Sequence, residues 1–392
     1  MPKAIILGAG MVGSVMAADM ALDPAFDVAV ADARPEALDR ISNLVQKTGG
    51  QAGKVKTIRA DLSDTRVLAQ TIAPFDIVLG ALASTIGLQT LRTVIEAGKN
   101  FCDICFMSED YLQLDGLAKA KGVTAVVDCG VAPGMSNMIA GYAASVLEPC
   151  RNIEIYVGGL PVERRWPYEY KAAFSPYDVI EEYTRPSRIV ENGQIVVREA
   201  LSEPELMNLP HVGTVEAFNT DGLRSLAYTL KAPFMKEKTL RYPGHIELMR
   251  VLRHTGLFGH EPIRVGARPG VEGSGTMVRP IDVISALMFP KWTYEPGEAD
   301  LTVMRVIADG MRQGAQTRLV YDLFDVLDPA TGFTSMSRTT AFPCTIMARL
   351  VASGKFKRPG VIPPEFVGQV PGMLEHFLKE LAGRGVKYSA IA

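Results

Sequence analysis

Apolar and polar positions change rhythm part-way along this chain. From Lys3 to Asp128, short apolar runs alternate with longer stretches whose apolar residues recur every three or four positions. Short runs bounded by turn residues predict buried strands, and the longer period predicts helices packed on them. Strands are expected at Lys3–Leu7, Phe26–Ala31, Val55–Ile58, Asp76–Leu82, Phe101–Cys105 and Val123–Asp128. Helices are expected between them at Ser14–Leu22, Pro35–Gln46, Thr65–Ile72, Gly87–Ala97 and Glu109–Lys121. Repeated strand–helix units predict a doubly wound parallel sheet, an α/β Rossmann domain over residues 1–130.

From Arg151 the rhythm becomes that of half-buried strands with few helices between them. Ile153–Val157 alternates apolar and polar residues, and further strands are expected at Arg188–Val190, Gln194–Val197, Lys238–Arg241, Leu301–Ile307 and Gln316–Asp325. Helices are expected at Met135–Leu147, Asp178–Tyr183, Ile246–Thr255, Pro280–Met288, Thr339–Ala352 and Met373–Leu381. The prediction is a second α+β domain over 131–335 with a mostly antiparallel sheet. Residues 336–392 are expected to return to the first domain and complete it.

The loop after the first strand carries the most specific chemistry. Leu7-Gly-Ala-Gly-Met-Val-Gly13 joins a strand to a helix, and Asp32 ends the second strand nineteen residues after Gly13. Gly8 permits the turn, Gly10 lets the backbone approach a pyrophosphate, and Gly13 lets the helix pack against the strand. Met11 and Val12 open the helix, whose N-terminal amides attract phosphates. Asp32 is expected to accept hydrogen bonds from a ribose diol, which points to NAD; Arg34 beside it admits NADP. Ala81 and Leu82, at the end of the fourth strand, would line the cofactor. Asp61 reads equally as an adenine contact or as a loop and cap charge.

Composition narrows the partners. The chain has 392 residues, 47% hydrophobic and 21% charged, with a formal net charge of −2. That balance gives no reason to expect nucleic acid or an anionic membrane surface. No apolar run is long enough to span a bilayer, and the first strand begins at once, so a cytoplasmic protein is expected. Five cysteines at irregular spacing predict reduced thiols, and Cys102 and Cys105, on one strand, predict no metal site.

Four later stretches offer chemistry, each open to a structural reading as well. They are Asp128–Gly134, the aromatic loops around Glu169, Tyr170 and Phe174, the segment Lys238–His245, and Ser337–Thr340. A substrate carboxylate would suit Arg241 or Arg338, with Tyr170 and Tyr242 nearby. An amine would suit Asp103, Asp128 or Glu169. His245 is the simplest general base near neutral pH.

Taken together, Gly8–Gly13, Val127–Met135, Tyr156–Pro161, Glu169-Tyr170 with Phe174-Ser175, and Lys238–His245 resemble the saccharopine dehydrogenase family, and within it the lysine 6-dehydrogenases in particular. The resemblance runs in order to about Ala352. It implies a homodimer acting on a small amine or amino acid. For lysine, the reaction would be NAD-linked oxidative deamination at the ε-carbon to 2-aminoadipate 6-semialdehyde. The chain departs from the pattern after Asp103, where Ile104-Cys-Phe-Met107 replaces small residues and shifts the expected substrate toward a more apolar one. The alternatives are an NADP-linked reductive condensation, as in saccharopine or carboxynorspermidine dehydrogenases, and dinucleotide binding without turnover.

Overall fold

The computed structural model describes residues 1–391 apart from 52, 268, 269, 271, 272 and 296. Its first sheet is built from β1 (Lys3–Leu7), β2 (Asp27–Asp32), β3 (Val55–Arg59), β4 (Ile77–Gly80), β5 (Asn100–Asp103) and β6 (Thr124–Val126). A seventh strand comes from far along the chain, and every pairing is parallel. The apolar runs are buried because helices cover both faces of the sheet. β1 lies between β2 and β4, so the winding reverses at β1 and leaves a crevice beyond its carboxyl end.

The second sheet contains β7 (Cys150–Pro161), β8 (Ser187–Glu191), β9 (Gln194–Arg198), β10 (Glu205–Leu209), β11 (Gly213–Asn219) and β12 (Phe234–Arg241). A small separate hairpin, β13 (Ile263–Val265) and β14 (Thr276–Val278), follows. The long hairpin β15 (Asp300–Arg312) and β16 (Ala315–Val326) returns to the second sheet. Most pairs are antiparallel; β7 and β12, at the centre, run parallel.

The C-terminal part divides between the two sheets rather than serving the first alone. β17 (Gly360–Ile362) is the seventh strand of the first sheet, beside β6. β18 (Tyr388–Ile391) instead extends the second sheet along β16. Helix Met11–Ala21 is buried from Gly13 onward, between the sheet and helix Ser335–Ala352, and so lacks a polar face. Its Asp19 anchors this packing. The carboxylate accepts hydrogen bonds from Thr345 Oγ1 at 2.6 Å, Arg349 Nη1 at 2.7 Å and Arg384 Nε at 2.9 Å. Those three bonds hold the C-terminal helices on the first domain.

Candidate active site

A cleft of about 590 Å³ lies between the two sheets, at the carboxyl ends of β1, β4 and β5. One wall is the dinucleotide loop. Gly8 has φ +98°, a conformation that favours glycine. A Cβ on Gly13 would sit 2.0 Å from the Gly8 carbonyl oxygen, so only glycine lets the helix start so near the strand. A Cβ on Gly10 would meet nothing within 4 Å, because that position opens onto the cleft. Gly10 caps the helix without a side-chain hydrogen bond, and its first-turn amides at Met11, Val12 and Gly13 border the cleft. Open amides beside an unfilled approach fit a pyrophosphate.

Asp32 closes the loop. Its Oδ2 accepts a hydrogen bond from the Ala9 amide at 2.8 Å, and its Oδ1 accepts from the Arg34 amide at 2.9 Å and from Arg34 Nε at 3.1 Å. Although burial works against ionisation, the bonds from Arg34 and Ala9 hold this carboxyl below its usual range. Arg34 lines the cleft with most of its side chain exposed. Ala81 and Leu82 line it as expected. Asp61 does not. It is exposed, and Oδ1 accepts from the Ser63 hydroxyl at 2.6 Å, the loop-charge reading.

The opposite wall comes from the second sheet. Strand period two brings Glu237, Thr239 and Arg241 of β12 to one face, and all three line the cleft. Helix Pro176–Thr184 adds Asp178, Glu181 and Glu182, followed by Arg185, and the loop after β11 adds Thr220, Asp221 and Gly222. Arg241 is fixed from three sides. It donates to Glu182 Oε2 at 2.8 Å and to the Tyr183 hydroxyl at 3.0 Å, and its guanidinium lies 4.4 Å from the centre of the Tyr170 ring. Asp178 crosses the cleft, accepting from Ser84 Oγ of the first domain at 2.6 Å.

Several expected site residues lie elsewhere, and the reasons are physical. His245 does not line the cleft. It is buried behind Tyr183 and Arg241, bridging the Tyr183 hydroxyl at 2.9 Å and the Tyr168 carbonyl at 2.8 Å. Burial, then the Arg241 charge, push it down to about 3, so it stays neutral and structural. Glu169 is held outside the cleft in an ion pair with Arg164. Tyr242 donates to the Pro161 carbonyl at 2.9 Å. Arg338 donates to the Arg384 carbonyl at 3.0 Å and faces Asp325, joining the C-terminal segment to the second domain. Tyr170 reaches the site through Arg241, which lies over its ring and donates to its hydroxyl at 3.5 Å.

Asp103 and Asp128 are wholly buried just behind the lining segments 104–106 and 130–133. Asp128 pairs with Arg224. Asp103 Oδ1 accepts from the Cys105 amide at 3.1 Å, while Oδ2 has no hydrogen-bond partner among the described residues. Burial chiefly, with the Asp128 charge adding, pushes the Asp103 carboxyl up to about 7. Of the bulky residues after it, Met107 is packed in the core, whereas Phe106 reaches the cleft. The centre of the Phe106 ring lies 4.7 Å from the Arg224 guanidinium and 5.3 Å from that of Arg185. It therefore offers its ring to two cations.

Matches to family models cover nearly all of this architecture. The model described as Saccharopine dehydrogenase NADP binding domain matches residues 4–126, and Saccharopine dehydrogenase C-terminal domain matches residues 130–386. The chain belongs to the saccharopine dehydrogenase family. Family membership makes it an NAD(P)-dependent oxidoreductase of amino-acid or amine substrates, as its relatives' names describe. It is 24% identical to carboxyaminopropylagmatine dehydrogenase of Synechocystis sp., over 100% of this chain and 98% of that one. It is 26% identical to alpha-aminoadipic semialdehyde synthase of Arabidopsis thaliana over 54% of this chain, spanning 21% of that longer protein. Its fold matches saccharopine dehydrogenase (L-Glu forming) of Saccharomyces cerevisiae with a TM-score of 0.77 over 100% of both chains, at 18% identity.

The sequence reading took Arg241 from β12 and passed over Glu237 and Thr239. The signal was there: a Glu-x-Thr-x-Arg alternation along β12.

Proposed function

We propose that this protein oxidises the amine-bearing carbon of an amino acid, in the manner of lysine 6-dehydrogenase, with NAD preferred over NADP. The observation that carries the reading is the charge arrangement of the second-domain wall. Asp178, Glu182, Asp221 and Glu237 share the cleft with Arg185 and Arg241. Carboxylates suit the ammonium group of a substrate and guanidinium groups suit its carboxylate. Phe106 between them would contact the substrate's methylenes.

The amides of Met11 to Gly13 would hold the pyrophosphate, and Ala81 to Ala83 would border the ribose and nicotinamide. Bound there, the oxidised nicotinamide supplies a hydride acceptor. Asp32 supports the NAD preference: a 2′-phosphate would have to draw Arg34 away from a carboxylate it already neutralises. The family resemblance carries the further proposal of a homodimer, to be checked by sedimentation.

The second reading is reductive joining of an amine to a carbonyl compound. It is supported by the relatives' names and by the presence of two arginines on one wall. A spectrophotometric panel separates the readings. NADH formation with lysine or ornithine supports deamination. NADPH consumption only when an amine and an aldehyde acid are supplied together supports condensation. Absence of both, with cofactor still bound, would overturn each.

A further inference from the structure

We propose that Glu237 of β12 is the group that takes the proton from the substrate ammonium. This rests on the reading of the cleft as an amine site. Glu237 is 3% exposed yet lines the cleft. Its Oε2 accepts from Thr220 Oγ1 at 2.5 Å and from the Gly222 amide at 3.0 Å. Thr220 in turn bonds the Thr239 hydroxyl at 2.8 Å. Oε1 takes no hydrogen bond from any described residue, so one oxygen is fastened and the other is available. Gly222 makes room for this placement, since a Cβ there would lie 2.3 Å from the Glu237 carboxyl carbon.

The charges around it come from three elements. Glu182 faces it from helix Pro176–Thr184, and Arg241 follows it on its own strand. Asp221 faces it from the loop after β11, held by Arg188 of β8 at 2.7 Å. Burial first, with Glu182 and Asp221 adding, pushes the Glu237 carboxyl up to about 8 against the bonds from Thr220 and Gly222. A carboxylate there has the basicity that proton abstraction near neutral pH asks for.

In the step, an N–H bond of R–CH2–NH3⁺ breaks and an O–H bond forms at Oε1. The products are a neutral amine and a neutral carboxylic acid, and no electron leaves the substrate. The lone pair freed on nitrogen is what the neighbouring carbon needs to release hydride. The cleft water then takes the proton from Glu237.

The test is the pH dependence of kcat with whichever amine the panel identifies, together with infrared spectra of the cofactor-free protein. Wild type should gain about tenfold per pH unit below an apparent pKa near 8 and level off above it. Glu237→Gln should lower kcat by about 10²–10⁴-fold and abolish that limb, with NADH affinity unchanged. Glu237→Asp should keep a limb at reduced rate. Thr220→Val, which removes one bond to the charged form, should move the limb to higher pH. A protonated carboxyl band that disappears across the same pH range should be missing from Glu237→Gln. A limb that survives in Glu237→Gln, or that Thr220→Val leaves in place, would overturn the assignment while leaving the amine reaction intact. If no amine is turned over, the reading of the cleft fails, and the infrared band still reports whether Glu237 titrates there.

Discussion

Arg224 Nε lies 3.1 Å from Asp128 Oδ2, and the two side chains are 3% and 0% exposed. Asp128 follows β6 of the first sheet and Arg224 belongs to the second domain, so this ion pair is a buried bolt between them. Removing one partner leaves the other charge without water or counter-ion. Arg224→Met should destabilise the protein by about 3–5 kcal/mol. The double variant Arg224→Met, Asp128→Asn should recover part of that loss, since Asn removes the charge and tolerates the φ of +51° at this position. Urea unfolding of the singles and the double checks it; additive losses would mean the pair is not coupled.

Asp103 titrates differently folded and unfolded. Its folded value, about 7, lies above the ordinary carboxylate value, so the folded state holds the extra proton between about 4 and 7. The stability this brings is full below pH 4 and is lost as pH rises through 7. Asp103→Asn cannot ionise. Its unfolding free energy should therefore fall less steeply across that window, by up to about 1.4 kcal/mol per pH unit. Denaturant titrations at several pH values measure the slope, and parallel curves would contradict the burial argument.

Asp32 holds both Ala9 and Arg34. Asp32→Ala removes a ribose acceptor and releases a guanidinium next to the 2′ position. NAD should bind about tenfold more weakly, at the cost of one charge-assisted bond, and NADP should lose less or gain. Quenching of protein fluorescence by each cofactor gives the two constants. Equal losses would remove Asp32 from cofactor selection.

The loop glycines should separate binding from folding. Gly10→Val puts its side chain where a Cβ meets nothing within 4 Å, so the fold should survive while cofactor binding is lost. Gly13→Ala would press against the Gly8 carbonyl and should lower Tm whether or not cofactor is present. Calorimetry with and without NAD reads both effects.

The first domain was almost entirely legible in the sequence. Its central strands β1 and β4 are apolar runs, its glycines carry a backbone requirement, and helix Thr65–Ile72 coincides with its predicted bounds. The second domain was less so. β10 carries exposed Leu206, and β13 and β14 have three residues each, too short for a period to be read. β17 and β18 are short, and β17 lies within a Pro/Gly-rich stretch. Among site residues, the loop was readable because its chemistry is local. The second-domain wall of the cleft was not, because Glu237, Asp178 and Asp221 meet only across elements. His245 and Arg338 have the chemistry of site residues, but tertiary burial turned each into a structural support.

The placement of β17 and β18 has a consequence for synthesis of the protein on the ribosome. β6 emerges early, yet its neighbour β17 is made only after the whole second sheet up to β16. The edge of β6 therefore waits with unpaired backbone groups, and β16 waits likewise for β18. During translation β6 and β16 are edge strands, and both are covered by the same last stretch of chain. A nascent chain stalled before Gly360 would expose two bare edges at once, and the cell's folding assistants would find it sticky until elongation resumed.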